Sequence, residues 1–474
     1  MTYTVEKIGG TSMSRVNELT ETLFIPNGVS DDIYGRIFVV SAFGGITNLL
    51  LEHKKTGESG VYARFADADN DHGWHDALSR VATEMQNAHA GVLDHSADIA
   101  QADAFVSERI AGARNCLTDL QRLCSYGHFR LSEHMLHIRE LLSGLGEAHS
   151  AFVTSLMLQR RGVSARFVDL SGWRDQGEVS LDERIMTAMK DVDPATEMPI
   201  VTGYAQCAEG LMQEFDRGYS EVTFSRMAAL LHAREAIIHK EFHLSSADPK
   251  LVGAGVARKL GHTNYDVADQ MSNMGMEAIH PKAAKTLRQA DVPLRVVNCF
   301  DPADPGTLID DRPAENAAVE MITGLDIVAL EVFEQDMVGV KGYDATILDV
   351  LTRHGVRIVS KTSNANTITH YLDASLKTMR RVERDLAERY PGAEVSARPL
   401  SMASIIGRDL RGLSVLTKGL QALANSGMAC LGASQGPRNV DVQFILERDD
   451  LQPAIKALHK QLIEGVTPTL KQVA

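Results

Sequence analysis

The segment that decides the fold is Val5-Glu6-Lys7-Ile8-Gly9-Gly10-Thr11-Ser12, an apolar strand that runs into a glycine turn. Paired glycines let backbone N–H groups turn toward an anion, and the N-terminus of a following helix adds positive potential. Lys7 stands at the strand end within reach of phosphate oxygens, and Thr11 and Ser12 are able to donate hydrogen bonds. The segment is not a Gly-x-x-x-x-Gly-Lys-Ser/Thr loop, so phosphate binding and an ordinary strand–turn–helix junction both remain open.

A second junction of the same build is Val39-Val40-Ser41-Ala42-Phe43-Gly44-Gly45-Ile46-Thr47-Asn48. It also reads as a buried strand, a glycine turn and a helix start. Ligands of open parallel sheets bind in the crevice at the carboxyl ends of the strands. We therefore expect the two glycine turns to face one ligand site.

Short apolar segments alternate with amphipathic ones through the first part of the chain, which predicts an α/β fold with a mostly parallel sheet between helices. The predicted strands are residues 3–8, 36–42, 164–168, 199–204, 236–239 and 294–298. The predicted helices include residues 148–161, 181–189 and 224–233. Residues from about 52 to 139 break the alternation, are polar and helix-prone, and indicate a helical insertion.

The C-terminal part repeats itself beyond a Pro- and Gly-containing linker at residues 300–316. Residues 346–356 match residues 418–428 at a shift of about 72 residues. Each copy has apolar residues three apart, a strand before it and a strand after its glycine. A duplicated βαβ unit is the favoured interpretation, and a coincidental likeness of two helices is the alternative.

Composition excludes several classes of protein. The chain has 474 residues and a formal net charge of −14, which excludes a generally basic nucleic-acid binder. No apolar stretch approaches the roughly 20 residues of a membrane helix. The N-terminus lacks a basic region followed by an apolar run, and the five cysteines form no Cys-x-x-Cys pair. The sequence therefore predicts a cytoplasmic protein with reduced thiols and no membrane partner.

The sequence predicts no protein-bound metal. Residues 67–73 resemble a calcium loop, but His72 and Leu78 occupy the positions that require Gly and Glu. Histidine and cysteine residues do not stand at zinc-binding spacing.

Two further segments carry candidate binding residues. Gly144-Leu145-Gly146-Glu147 reads as a helix start without the third glycine of a dinucleotide fingerprint, so NAD binding is not indicated. Glu147 there either stabilises the helix dipole or holds an ammonium group. Arg217-Gly218-Tyr219-Ser220-Glu221 is a glycine-containing turn before an apolar helix.

Together these segments resemble the aspartate kinases of the amino acid kinase superfamily over nearly the whole chain. The shared motifs are Lys-x-Gly-Gly-Thr-Ser at 7–12, Val-Ser-Ala-x-x-Gly-Ile-Thr-Asn-Leu-Leu near 40, Gly-Glu at 146–147, Arg-Gly-x-Ser at 217–220, Asp248-Pro249, His280-Pro281 and the run from Lys361 to Thr369. The resemblance implies a catalytic domain at residues 1–310 with its insertion at about 52–139. Two ACT-like domains are implied at residues 325–395 and 400–474.

The resemblance also implies the reaction, in which ATP with Mg²⁺ phosphorylates the side-chain carboxylate of L-aspartate to 4-phospho-L-aspartate. The implied catalytic residues are Lys7 and Arg217. The implied substrate site consists of Ser41, Thr47, Glu147, Arg217 and Ser220, where Glu147 takes the ammonium group and Arg217 the α-carboxylate. The implied ATP site consists of Lys7, Gly9, Gly10, Thr11, Ser12, Lys240, Glu241, Asp248 and Lys250. Since the attacking carboxylate is already ionised, positioning and charge neutralisation suffice without a general base.

Several positions depart from the family pattern. Glu221 stands where an aspartate is usual, and Lys240 and Glu241 replace a Thr-Asp pair. Glu277 replaces a lysine, which reverses the local charge beside ATP, and Lys240 is a candidate to compensate. These departures resemble the subgroup of aspartate kinases associated with ectoine biosynthesis.

The ACT-like pair implies regulation by an amino acid and assembly into a homodimer or larger oligomer. The implied effector region contains Met337, Gly342, Tyr343, Asp344, Val359 and Asn364. The alternative is that both units serve only packing and dimerisation.

Two other functions compete with the aspartate kinase reading. One is a kinase of a different acidic amino acid on the same fold. The other is a non-catalytic amino-acid sensor, suggested by Glu241 and Glu277. Lys7, Glu147 and Arg217 favour a kinase, because a sensor does not need a phosphate cradle.

We predict weak or altered inhibition by L-lysine. Lysine-sensitive members of the family often carry an acidic residue after the second strand of the first ACT-like domain, where it holds the ammonium group of the ligand. Asn364 and Ala365 stand there in this chain. The kinase rate measured against L-lysine concentration checks this, and inhibition in the micromolar range contradicts it.

Overall fold

The computed structural model describes residues 3–54, 56–67, 73–175, 177–215, 218–276, 279–312 and 316–464. The chain divides into two compact units. Unit one comprises Met1–His243 and Ile279–Asp311, and unit two comprises Leu244–Ala278 and Arg312–Ala474. Arg217, Glu277 and most of the calcium-like loop lie outside the described residues.

The strands, in chain order, are β1 (Thr4–Ile8), β2 (Arg36–Val40), β3 (Ala165–Val168), β4 (Met198–Thr202), β5 (Glu235–Lys240), β6 (His262–Asn264), β7 (Leu294–Asn298), β8 (Thr307–Asp310), β9 (Ala318–Phe333), β10 (Arg357–Ser363), β11 (Thr367–Asp373), β12 (Glu394–Arg408), β13 (Gly432–Gln435) and β14 (Asp441–Leu446).

The α-helices are α1 (Gly10–Met13), α2 (Val16–Leu19), α3 (Ile46–Leu50), α4 (Val61–Ala66), α5 (Gly73–Ala90), α6 (Ser96–Ser125), α7 (Met135–Arg160), α8 (Leu181–Met189), α9 (Leu211–Phe215), α10 (Tyr219–Leu230), α11 (Pro249–Val252), α12 (Tyr265–Asn273), α13 (Pro281–Gln289), α14 (Tyr343–Arg353), α15 (Leu376–Arg389), α16 (Val415–Asn425) and α17 (Leu451–His459). Within the described ranges, no helix combines the length and apolar composition needed to cross a bilayer.

Unit one is built on a mostly parallel sheet, as the alternating segments predicted. Seven of its strands lie in the order β3-β4-β2-β1-β5-β7-β8. Their neighbours pair in parallel except for β7 and β8, which are antiparallel. All five residues of β1 are buried, which places the strand that carries Lys7 at the centre of the sheet.

The predicted strands of this unit are present with small shifts at their ends, whereas the helices predicted at 148–161 and 224–233 are the C-terminal parts of longer helices that begin at Met135 and Tyr219. All six predicted strands form, as β1 to β5 and β7, and the helix predicted at 181–189 is α8. The polar segment predicted as a helical insertion contains α4, α5 and α6. Hydrophobic periodicity therefore located these elements correctly.

The prediction that residues 144–147 begin a helix is wrong. They lie in the middle of α7, which runs from Met135 to Arg160. The glycines are there for packing, because a Cβ on Gly144 would lie 3.0 Å from a ring carbon of Tyr204 and one on Gly146 would lie 2.9 Å from the Cβ of Ala42. Close packing of α7 against the segments that follow β2 and β4, and not a chain turn, accounts for the glycines.

Unit two contains a six-stranded sheet in the order β10-β11-β9-β12-β14-β13, in which neighbouring strands are antiparallel. The two repeated helices are α14 and α16, whose first and last residues are offset by 72 positions. Each is followed by a strand, so the predicted duplication is present.

Two long strands link the halves of this sheet. The strand β9 has 16 residues and β12 has 15, and they pair with each other along almost their whole length. The C-terminal part of β9 also pairs with β11, whereas the C-terminal part of β12 pairs with β14. Each half therefore takes strand segments from both, and the ACT-like boundaries at 325–395 and 400–474 stay a prediction.

Residues 244–278 group with unit two, although the sequence placed them within a domain ending at residue 310. The amide of Ile322 donates to the carbonyl oxygen of Ser246 at 2.7 Å, and the hydroxyl of Ser246 meets His459 Nε2 at 2.9 Å. Contacts distant in sequence decide this grouping, and composition along the chain does not reveal them.

A buried ion network fixes the central strands of unit one. Glu6 on β1 accepts two hydrogen bonds from Arg36, at 2.7 and 2.8 Å, and lies 2.7 Å from His239 Nε2. Burial alone would raise the pKa of Glu6, but Arg36 and His239 hold that pKa well below its usual range. The carboxylate is therefore ionised and joins β1 to both of its neighbours.

We predict that Glu6→Gln lowers the free energy of unfolding by about 3 kcal/mol, because it leaves the partly buried Arg36 without its anion. Since the folded pKa is below the unfolded one, this stabilisation is complete above about pH 5 and lost as the pH falls. Denaturant unfolding at pH 7 and pH 4 measures both effects. Glu18→Gln, which breaks an exposed ion pair with Arg15, is the matched control and changes stability little. Equal stability of the two variants would contradict the assignment.

Candidate active site

The two glycine turns lie side by side at the carboxyl edge of the sheet of unit one. Ile8, the last residue of β1, is opposite Val40, the last residue of β2. A Cβ on Gly10 would lie 2.9 Å from the carbonyl oxygen of Ala42, so any side chain there would push the turns apart. The glycine at position 10 thus serves the close approach of two backbones.

A buried carboxylate joins two lysines at this edge. Glu221 Oε1 lies 3.3 Å from Lys7 Nζ and 3.8 Å from Lys240 Nζ, and its Oε2 accepts the backbone N–H of His280 at 2.5 Å. Burial alone would raise the pKa of Glu221, but Lys7 and Lys240 hold that pKa below its ordinary value. One anion between two ammonium groups leaves a net positive charge and fixes where both lysines stand.

The helix start after the first turn is tied to the end of β5. Ser12 Oγ donates to Glu241 Oε1 at 2.5 Å, and Cys299 Sγ lies 3.7 Å from Ser12 Oγ. No side chain caps helix α1, and the hydroxyl of Ser12 links this helix to the end of β5 instead. Thr11 is exposed at the same turn. The first turn of α1 is therefore left open to an anion.

Glu147 supplies a second buried carboxylate whose pKa is influenced by Lys7. Its side chain is 3% exposed, and Oε2 has no hydrogen-bond partner among the described residues. Burial raises the pKa of Glu147 to about 8, an effect opposed by Lys7 and by the backbone N–H groups of Tyr204 and Ala42. A buried oxygen without a partner costs free energy, which a ligand ammonium group would recover.

Gly203, at the end of β4, leaves space beside this carboxylate. A Cβ on Gly203 would lie 2.9 Å from Glu147 Oε2 and 2.8 Å from the Cβ of Ser220. Ser220 Oγ in turn lies 3.4 Å from Ser41 Oγ. The structure thus brings Ser41, Glu147 and Ser220 around one small space that only a glycine keeps open.

Sequence reasoning missed Gly203 as a site residue and treated Glu221 only as a departure from a pattern. Gly203 falls inside the strand predicted at 199–204, so the sequence did not mark it as a turn glycine; the observed β4 ends one residue before it, at Thr202. No sequence signal pairs Glu221 with Lys7, because the two residues are 214 positions apart.

Thr47 lies in α3, which begins after Gly45. The φ of Gly45 is 88°, in the left-handed region that favours glycine. Thr47 is partly exposed next to the second glycine turn. Its predicted contact with the substrate stays a prediction.

Other predicted site residues are not placed in this cluster. Arg217 lies outside the described residues. Asp248 and Lys250 belong to unit two, where Asp248 Oδ1 accepts the backbone N–H of Lys250 at 2.9 Å and caps α11. Their roles in binding substrate and ATP stay predictions.

The predicted effector region surrounds the start of α14 in unit two. Gly342 caps this helix with a φ of 106°. Asp344 in its first turn lies 2.5 Å from Lys361 Nζ and 3.3 Å from His370 Nε2. The carboxylate is shared between two basic groups of the same unit, and Asn364 Oδ1 accepts two backbone N–H groups of its own turn.

One group of residues in unit one has the composition of a cation site. It consists of His243, Asp301 and Asp304, after β5 and β7. His243 Nε2 lies 3.1 Å from Asp301 and Nδ1 lies 3.8 Å from Asp304. Since separate ring nitrogens face the two carboxylates, the arrangement is that of an ion-pair network.

Comparison with known proteins identifies the family. Residues 2–298 match the model of the amino acid kinase family. The chain is 50% identical to the aspartate kinase Ask_Ect of Stutzerimonas stutzeri (strain A1501) over 464 residues, which cover 98% of each chain.

Solved structures share the fold over nearly the whole chain. The E. coli aspartokinase III bound to lysine and aspartate matches with a TM-score of 0.71 and 19% identity, covering 97% of this chain and 99% of the other. The same enzyme bound to aspartate and ADP matches with a TM-score of 0.70 and 19% identity over the same shares. At these identities the likeness establishes the fold alone.

The family match and the half-identical relative thus agree with the motifs from which the resemblance was inferred. The chain belongs to the amino acid kinase family and, within it, to the aspartate kinases.

Proposed function

We propose that this aspartate kinase transfers the γ-phosphoryl group of ATP to the side-chain carboxylate of L-aspartate, giving ADP and 4-phospho-L-aspartate. The observation that carries the proposal is the position of Lys7. Its ammonium group lies 3.3 Å from Glu221 in the lysine cluster, and its charge opposes the rise that burial causes in the pKa of Glu147. Lys7 therefore stands between a cationic phosphate cradle and a pocket suited to an amino acid.

The phosphate side of the site uses both lysines. Lys7 neutralises charge on the transferring group, assisted by the backbone at Gly9 and Gly10 and by the open first turn of α1. We assign Lys240 to the same phosphates, because Glu221 holds it beside Lys7 and it ends the neighbouring strand β5. Lys240 is accordingly our candidate for the cation that compensates for the family lysine replaced by Glu277.

Magnesium enters the reaction as MgATP. Glu221 is unsuited to hold the ion, because Lys7, Lys240 and the backbone N–H of His280 already engage it. Mg²⁺ in such sites is often bound mainly through substrate phosphates and water. We therefore treat magnesium as part of the nucleotide substrate.

The amino-acid side of the site recognises L-aspartate through ion pairs with its charged groups. Glu147 accepts the ammonium group, and Arg217 is assigned to the α-carboxylate as a bidentate partner. Ser41 and Ser220, whose hydroxyl oxygens lie 3.4 Å apart, and Thr47 line the pocket. The side-chain carboxylate of the substrate is left to face the γ-phosphate.

Transfer then depends on alignment. The attacking carboxylate is already ionised, so no protein base is needed, and its approach to another anion is the main barrier. The lysine cluster offsets that repulsion, and the buried walls keep its charge effective by excluding water. ADP and the acyl phosphate leave from the same edge of the sheet.

The assembly and pathway follow from the resemblance. We propose a cytoplasmic homodimer or larger oligomer formed through the ACT-like units, with residues 1–310 as the catalytic domain. The likeness to the ectoine-associated subgroup and to Ask_Ect supports a product that feeds ectoine synthesis.

An aspartyl-hydroxamate assay with ATP, Mg²⁺ and either L-aspartate or L-glutamate tests the reaction. We predict hydroxamate from aspartate and none from glutamate. Lys7→Ala and Lys240→Ala are each expected to lower kcat by about 100-fold or more, because each removes a charge that faces the phosphates. Lys190→Ala, at an exposed position after α8, is the matched control and keeps full activity. Product from glutamate alone, or an active Lys7→Ala enzyme, would overturn the assignment.

The pKa of Glu147 predicts a pH dependence for aspartate use. Only the ionised carboxylate pairs with an ammonium group, so kcat/KM for aspartate rises about tenfold per unit up to a pH near 8, the pKa of Glu147, and then levels off. Glu147→Gln lowers kcat/KM for aspartate by about 10- to 100-fold and removes this rise. The KM for ATP is the internal control and stays unchanged. A Glu147→Gln enzyme that retains the rise would assign it to another group.

A further inference from the structure

Unit two contains a cavity of about 670 Å³ that none of the roles assigned above uses. It lies where β12 passes into α16, next to the start of β9. The volume is in the range of small-molecule binding sites. Its apolar lining residues are Leu260, Val319, Leu413, Val415, Leu462 and Ile463.

The charged residues of this cavity are mostly basic. Arg258, Lys259, Arg408 and Lys418 line it together with His262, and among the described residues Glu320 supplies the one carboxylate of the lining. Four cations against one anion contrast with the chain as a whole, whose formal net charge is −14. A concave surface of one sign, in a protein of the other sign, concentrates ligands of opposite charge.

The one carboxylate is already engaged. Glu320 is buried, accepts a hydrogen bond from Thr263 Oγ1 at 2.5 Å and pairs with Arg408 Nε. Each of its two oxygens already has a protein partner. This argues against a zwitterionic amino acid, which needs an anion as well as a cation from the protein.

Two cations remain able to take a ligand. Arg408 Nε donates to Glu320, and Arg408 Nη1 lies 3.3 Å from His262 Nδ1. These contacts leave the Nη2 group of Arg408 available for a ligand. Lys418 is exposed and has no ion-pair partner among the residues that the structure describes.

Lys418 also stands in an unfavourable place for a lysine. It lies in the N-terminal part of α16, an 11-residue helix with no acidic residue in its first turn and no side-chain cap. A cation near a helix N-terminus opposes the helix dipole. An anion bound beside Lys418 would relieve both the unpaired charge and this repulsion.

We propose that this cavity binds a small organic anion with a carboxylate or phosphate head and a short apolar body. Arg408 and Lys418 hold the head, and the apolar side chains of β9, α16 and residues 462–463 contact the body. The site differs from the effector region at α14 in position and in ligand charge, since it offers nothing for an ammonium group.

Isothermal titration calorimetry on the full chain tests this with adipate, phenyl phosphate and L-norleucine as probes. We expect at least one of the two anions to bind at one site per chain, and L-norleucine not to bind there. The comparison of adipate with phenyl phosphate decides which head group the site prefers. Lys418→Glu is expected to weaken anion binding by about tenfold or more.

Lys456→Glu is the matched control, because it makes the same charge change at an exposed position of α17 outside the cavity. Leu413→Trp fills the cavity without changing its charge and should also weaken binding. The proposal is overturned if neither anion binds, if Lys418→Glu and Lys456→Glu act alike, or if L-norleucine binds as tightly as the anions.

Discussion

The active edge of unit one depends on one buried carboxylate held between two lysines. Glu221 comes from α10, whereas Lys7 is the next-to-last residue of β1 and Lys240 the last residue of β5, so the ion cluster joins three elements at the proposed phosphate site. A buried charge without partners is energetically costly, and here the carboxylate of Glu221 and the two lysine ammonium groups neutralise one another in part. The cluster fixes lysine positions before substrate arrives, which is the preorganisation that phosphoryl transfer requires.

The cost of burying a charge also distinguishes two buried glutamates, Glu221 and Glu147. Glu221 stays ionised because cations and a backbone N–H surround it, whereas Glu147 has the pKa of a carboxyl that binds a proton near neutral pH. Burial raises the pKa of both carboxyl groups, and the neighbouring charges decide which of them is ionised at neutral pH. This difference suits the roles proposed for them, Glu221 in organising the phosphate cradle and Glu147 in recognising the ammonium group of the substrate.

Unit two illustrates how a duplicated sequence builds one continuous sheet. Because β9 and β12 extend through both halves, neither half has a complete sheet by itself. The proposed ligand regions at α14 and at the cavity beside α16 therefore belong to halves that share two strands.

The sequence by itself determined the alternation of strands and helices, the two glycine turns, the repeat and the family, because periodicity and motif spacing are local properties. It misread residues 144–147 as a helix start, since a glycine that serves packing looks like one that serves a turn. Only the tertiary structure decided that Gly203 opens the pocket and that Glu221 joins Lys7 across 214 positions. Both depend on which distant segments the fold brings together, and on burial, which sets whether a carboxylate holds a proton or a charge.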